Sequence, residues 1–339
     1  MDKETLSNYG WIVVLVLILA VMLALASPFG SFVSTAIKDV TGGFWDVNST
    51  ALNSAGVLTD DVSFDEEMQK GENEWTVPDD GTYTTVNGAV YNAGDVIPKD
   101  YQIQEGDTYV DSDYIYKYKY YFTVTWTSTW ELNSAQTGWG VRVKNIEKNT
   151  YGVILNQINN EPVTTLQYTF WNCSKLTSSP TIPNGITNMK STFANCSSLI
   201  TAPEIPDSVI NVSNTFSGCG ELKNVPAIPD SVINMAGTFQ NCKSLITSPE
   251  ISNNVSDLSS AFEGCSNLIT PPDLSGCTKL NSLYQTFANC QNLTGYITIN
   301  ANPTEYSGCF QNVDIKGQNI TLVGSSQLLE EIKSTGYNY

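Results

Sequence analysis

Apolar positions along the 339-residue chain follow three different patterns, and each predicts a different kind of element. From Trp11 to Val33 there is no charged residue, and the segment opens as WIVVLVLILAVMLALA. A helix of that length would reach about 34 Å, against a hydrocarbon core of about 30 Å. The pattern predicts a transmembrane helix over residues 11–33 behind a short flank, 1–10. A cleaved export signal competes with it, because Ala24-Leu25-Ala26 has the A-x-A form. Lys3 lies between Asp2 and Glu4, so the positive leader of such signals is missing and a retained anchor is favoured. Lys3 and Lys38 are too evenly matched to set the orientation. Gly10 before the apolar run suggests a prepilin leader, but Leu15 stands where a glutamate belongs.

The second pattern is alternation. Tyr114, Tyr116, Tyr118, Tyr120, Phe122, Val124 and Trp126 occupy every second position, which predicts one strand with an aromatic side. Such a row serves either as a sugar-stacking platform or as the buried side of a small β domain. The large apolar area of each ring favours burial. Trp139–Val143 predicts a neighbouring strand, so residues 81–160 read as a small β-rich domain capping a solenoid that begins at residue 161. Residues 34–80, with Asp60-Asp61 and Asp65-Glu66-Glu67, read as an acidic spacer. They lack the aspartate spacing and closing glutamate of a calcium loop.

The third pattern, a register, is the basis for that solenoid. Cys173, Cys196, Cys219, Cys242 and Cys265 recur every 23 residues, a period that marks a stacked repeat. Three positions before the cysteines stand Phe170, Phe193, Phe216, Phe239, Phe262, Phe287 and finally Tyr306, so seven cysteines are expected in one column. Three positions after them come Leu176, Leu199, Leu222, Leu245, Leu268 and Leu293; seven before come Leu166, Met189, Val212, Met235, Leu258 and Leu283. One rung cannot cover its own apolar edge, so neighbours must cover one another. Pro183, Pro206 and Pro229 mark places where a ladder stops, since proline has no N–H to donate. The later steps, 25 to Cys290 and 19 to Cys309, look irregular, and Cys277 falls outside the column. The solenoid is placed at 161–313 and a C-terminal cap at 314–339, with closing strands at Ile297–Ile299 and Ile320–Leu322 and a short helix at Gln327–Ser334.

Repeated segments such as Ile205-Pro206-Asp207-Ser208-Val209, and Thr238-Phe239-Gln240-Asn241-Cys242 with Leu245 three places on, resemble the BspA-like (Treponema-type) leucine-rich repeats of bacterial surface proteins. The resemblance runs from about Val163 to Val313. It implies a β-rich solenoid of short leucine-rich repeats, here preceded by a small β domain and an N-terminal transmembrane helix. It also implies an exported protein that binds host proteins, matrix or other cells, and it supplies no ligand residue to carry over.

Composition narrows the chemistry. Lys+Arg 16 against Asp+Glu 34 gives a net charge of -18, which excludes a nucleic-acid partner for want of a basic footprint. His 0 removes histidine triads, histidine metal ligands and the usual switch near neutral pH. The cysteines are read as unpaired buried thiols rather than bridges, with Cys277 the candidate exception, and no C-x₂-C pair suggests zinc. No catalytic, metal or cofactor-binding residue is assigned, and no cofactor is expected. Paired carboxylates acting as a glycoside hydrolase remain an alternative without a supporting spacing.

The leading reading is a membrane-anchored cell-surface adhesion module for an extracellular protein or glycan, secreted instead if cleaved after Ala26. The alternative is a structural subunit of a surface layer, filament or phage-associated assembly. Glu204, Asn211, Glu221, Lys223, Asn234 and Glu250 lie between the ladders, where a ligand would meet them, but plain solvation accounts for each and none is assigned as a site.

Overall fold

The computed structural model describes residues 74–122, 130–132, 136–313 and 320–325, together with Leu329, Glu330 and Ile332. The expected transmembrane helix and most of the spacer lie outside the described residues. Among the described residues no helix is long and apolar enough to cross a membrane.

The N-terminal part is built from short strands: β1 (Trp75–Thr76), β2 (Thr82–Thr84), β3 (Val90–Asn92), β4 (Val96–Ile97), β5 (Thr108–Val110), β6 (Tyr114–Tyr118), β7 (Tyr120–Phe122), β8 (Trp130–Leu132), β9 (Trp139–Val143), β10 (Gln157–Ile158) and β11 (Glu161–Thr165). Seven of them form one sheet in the order β10-β11-β9-β6-β5-β2-β3. Alternation works here as the residues dictate: Tyr114 and Tyr116 are buried, while Ile115 and Lys117 are half-buried. Tyr83, Tyr109 and Trp139 join them, mostly edge-to-face with neighbouring rings. This part of the aromatic row is core, not a platform. A fully buried carboxylate, Asp107, accepts from Tyr83 Oη at 2.8 Å, Tyr101 Oη at 2.7 Å and the amides of Val86 and Gln104. Those four donors make its burial tolerable and pin two loops to the sheet.

Two expectations for this N-terminal part need correction. The alternating run is not one strand, because the chain turns at Lys119 with φ 56° and resumes as β7, which pairs with β8 instead. Lys119 N donates to Gly138 O at 2.9 Å, and the crossing backbone sits so close that a Cβ on Gly140 would collide with the Tyr120 carbonyl. The fold also starts earlier than residue 81: β1 pairs with β4, and Val77 is buried, inside the stretch read as spacer.

Parallel pairing of β11 with β9 carries this sheet into the repeats. From Thr165 onward the ladder thins to one bridge per rung, through Asn188, Asn211, Asn234, Asp257, Ser282 and Glu305. A second column links Ser178, Thr201 and Asn224, and then Thr247 and Thr270. Between residues 166 and 294 no strand exceeds a single bridge, so the solenoid is made of turns held in register. It closes with β12 (Gly295–Ile299) and β13 (Ile320–Gly324), paired in parallel residue for residue where closing strands were expected. Leu329, Glu330 and Ile332 are helical, and Ile332 is buried; the remainder of the expected helix lies outside the described residues.

The apolar ladders stack as the register predicts. Seven phenylalanine rings pack with centroids 5.1–5.7 Å apart and planes within 20° of one another. Their first ring, Phe170, is covered by Tyr151 at 5.2 Å and Tyr114 at 6.1 Å, so the β domain caps that end.

The last ring is Phe310 and not Tyr306. Phe310 comes after Phe287 by the usual 23 residues, which places Tyr306 at the end of the Leu283 column and Cys309 in the threonine column of Thr286. Val313 takes the cysteine position. Six cysteines, not seven, therefore share a column, and the step of 19 is a regular rung. The step of 25 is a true insertion, separating Phe262 from Phe287. Cys277 is also in register, but in another column. Its carbonyl accepts from Leu280 N just as those of Pro206, Pro229 and Ser252 accept from Val209, Val232 and Val255. All eight cysteines are buried and unbridged, Cys277 among them.

Candidate functional site

The buried polar groups of the repeats are engaged with the backbone. Cys196, Cys219, Cys242, Cys265 and Cys290 each donate from Sγ to the carbonyl of the phenylalanine one rung earlier, at 3.0–3.2 Å. Thr192, Thr215 and Thr238 each donate toward one carbonyl in their own turn and one in the preceding rung. A cysteine or threonine here is the smallest side chain that fills the space and still offers a proton to a buried carbonyl. Burial pushes the Cys173 thiol up to about 11 and those of Cys219 and Cys290 up to about 12. Thiols held protonated and away from solvent are poor nucleophiles and poor metal ligands. Among the described residues there is no group of three Cys, Asp or Glu that could hold a metal ion.

Chemistry toward a partner must come from the surface. The six positions noted in the sequence separate into two sets. Asn211 and Asn234 belong to the bridge column, and their Oδ1 atoms accept from Ser213 N and Ala236 N at 2.9 Å. They close turns and are half-buried. Glu204, Glu221, Lys223 and Glu250 are exposed.

Two open hollows involve members of the exposed set. One, of about 660 Å³, lies along the seam between the first two rungs; Asn184, Ile200, Glu204 and a set of prolines line it. The other, of about 340 Å³, crosses four rungs and is lined by Lys223, Ser244, Ile246, Asn267, Ile269 and Asn292. Its floor is made by register. Lys223, Ile246 and Ile269 stand directly after the ladder leucines, and Ser244, Asn267 and Asn292 directly before them. The leucine points inward, so both flanking side chains point out. Ile246 is 53% exposed and Ile269 46%. One cation, three small polar side chains and two half-exposed isoleucines thus share one strip in a chain of net charge -18.

Those isoleucines were missed in the sequence, although counting one place beyond each ladder leucine finds Ile200, Ile246 and Ile269 at once. Ile210 and Ile233 form a similar exposed pair directly before the bridge residues Asn211 and Asn234.

A family model described as BspA type leucine-rich repeat region matches residues 142–236 and 190–316 with six copies, together more than half of the chain. No curated protein matches. Among solved structures, a leucine-rich repeat protein of T. pallidum is 20% identical, covering 65% of this chain and 94% of that one with a TM-score of 0.41. A leucine-rich repeat protein from Bacteroides ovatus ATCC 8483 is 21% identical, covering 67% of this chain and 55% of that one with a TM-score of 0.35.

Proposed function

Because the chain belongs to the BspA-type leucine-rich repeat family, a family of binding modules in general, we propose that it binds an extracellular protein or glycan at a cell surface, held there by its apolar segment 11–33. The observation that carries this reading is the strip of Lys223, Ser244, Ile246, Asn267, Ile269 and Asn292. Rungs stacked at about 4.8 Å repeat their outward side chains at that spacing, so an extended ligand crossing four rungs meets the same columns several times. Half-exposed isoleucines supply apolar area, the amides supply direction, and Lys223 supplies attraction for an acidic group. Segment 11–33 supports the surface placement by its length and lack of charge.

The test is a matrix-protein and glycan array probed with the full-length chain in detergent. A hit that weakens at least tenfold in Ile246→Asp and in Ile269→Asp supports the reading, since a carboxylate in either position breaks the apolar strip without touching the core. Binding that survives both substitutions moves the interface elsewhere. Recovery of the chain only as a detergent-resistant polymer favours a structural subunit.

A further inference from the structure

Two asparagine–glycine steps occur in the chain, Asn87-Gly88 and Asn184-Gly185. At such a step the backbone nitrogen of the glycine can attack the asparagine side-chain carbonyl carbon, because no Cβ shields the approach. The two steps are held differently. At Asn87, in the turn joining β2 to β3, Gly88 N donates to Thr85 O at 2.9 Å. The turn is further pinned by Ala89 N on Thr85 Oγ1 and by Thr85 N on Ala89 O. At Asn184, Gly185 N donates instead to the hydroxyl of Ser208 on the next rung, at 3.2 Å. That hydroxyl gives its own proton to Ile186 O at 2.7 Å, so toward Gly185 N it is an acceptor alone, and the N–H is held by this one longer bond. Both steps are exposed, with φ 86° at Gly88 and 94° at Gly185 and nothing within 4 Å of where either Cβ would be, so the hold on the glycine nitrogen is what separates them.

The repeat shows what this position tolerates. One and two rungs later the same two places read Asp207-Ser208 and Asp230-Ser231. A carboxylate is already accommodated there twice.

The geometry points to Asn184 as a site of self-modification that turns a neutral amide in the wall of the 660 Å³ hollow, which Glu204 also lines, into a carboxylate. The Gly185 backbone nitrogen bonds to Asn184 Cγ while the bond from Cγ to the side-chain nitrogen breaks. The proton of Gly185 N–H leaves with that nitrogen as ammonia, and a five-membered imide remains. Water then opens the imide at one of its two carbonyls. Opening at Cγ gives aspartate, the residue of the next two rungs, and opening at the backbone carbonyl gives isoaspartate with one extra methylene in the main chain. No oxidant or reductant takes part. The change adds a negative charge to a hollow that already holds Glu204, so it disfavours anionic ligands there. The inference does not depend on the strip at Ile246 and Ile269.

The experiment is incubation of the full-length chain at mildly alkaline pH in heavy-oxygen water, with peptide mapping by mass spectrometry afterwards. The expected result is replacement of the side-chain nitrogen by heavy oxygen at Asn184 several-fold faster than at Asn87, as a mixture of aspartate and isoaspartate peptides. Gly185→Ala suppresses the conversion, and Asn184→Asp unfolds at the same temperature as the parent, showing that the product fits the rung. The inference is overturned if Asn184 keeps its amide while Asn87 converts. It is equally overturned if both persist while a short peptide spanning residues 182–187 converts in the same buffer.

Discussion

A cysteine repeated on every rung would invite a redox or metal reading, yet its neighbours assign it another task. Each thiol in the shared column from Cys196 onward lies against the carbonyl of the preceding phenylalanine, and burial raises its proton affinity. The consequence appears in alkaline solution. An unfolded thiol ionises near its ordinary value of 9.0, whereas Cys219 and Cys290 keep their protons up to about 12 when folded. Below pH 9 both states hold the proton and the shift has no effect on stability. From pH 9 toward 12 the unfolded state alone releases it, so stability falls by up to about 1.4 kcal/mol per pH unit for each such thiol. Thermal unfolding should therefore drop steeply above pH 9. The double variant Cys219→Ala and Cys290→Ala should start lower at pH 7 but fall with a shallower slope, and equal slopes would show that the thiols are not the cause. The ring column gives a second prediction. Phe239 stacks on Phe216 at 5.7 Å and Phe262 at 5.6 Å and is wholly buried. Phe239→Ala should cost about 3–5 kcal/mol by denaturant titration, and a loss under about 1 kcal/mol, the range of exposed positions, would contradict the stack.

At the scale of one rung, the element is a chain of turns with a left-handed residue on either side of the phenylalanine, one two places before it and one two places after. The later of the two is Asn172, Asn195, Gly218, Asn241, Gly264, Asn289 and Asn312, all with φ between 60° and 76°. Asparagine and glycine adopt this region most readily, and their alternation has a packing reason. A Cβ on Gly218 would collide with Asn195 Oδ1 of the rung below, and one on Gly264 with Asn241 Oδ1. Asparagines in adjacent rungs bond directly instead, as Asn195 Nδ2 does to Asn172 Oδ1 at 2.9 Å. Gly218→Ala should thus destabilise by about 1–3 kcal/mol, and hydrogen exchange should place the opening at rungs 193 and 216. A neutral result would mean that the turn reshapes at no cost. This column is present in the sequence but is hard to see there, because a left-handed backbone carries no apolar signature and the cysteine spacing is the stronger signal. The same weight on one residue type displaced the last rung. Cys309 sits in a threonine column, one full period after Thr286, whereas the rings at Phe287 and Phe310 keep the true period. Where apolar stacking sets the register, the columns at Leu166, Phe170 and Leu176 were legible from spacing alone. The break at Lys119 was not, since alternation continues through it and only the close crossing over Gly140 interrupts the strand. The strip at Ile246 and Ile269 was legible in principle, by stepping one place off the ladder leucine.

For the whole molecule, stability is a chain of nearest-neighbour terms, because each rung is covered only by the rungs on either side. The register makes this testable by excision. Removing residues 212–234 takes out one full period and joins Asn211 to Met235, recreating the Asn188-Met189 junction of the rung before. Phe193 then meets Phe239, Cys196 meets Cys242 and Leu199 meets Leu245, so every ladder closes with side chains of the same kind. Removing residues 212–222 takes out about half a period and sets ladder residues against outward ones for the remainder of the stack. The full-period deletion is expected to fold, to keep a cooperative unfolding transition and to lose no more than the interface terms of one rung. Half-period deletion is expected to abolish that transition, because every rung after the junction would have to turn apolar side chains into water, at about 1.5–3 kcal/mol for each Leu or Phe left uncovered. Circular dichroism melts of the two deletions decide the matter. If both fold alike, the columns are not what holds the rungs together. If both fail, the stack depends on contacts longer than one rung, for instance from the cap of Tyr114 and Tyr151 over Phe170, whose influence would then have to reach past its first neighbour.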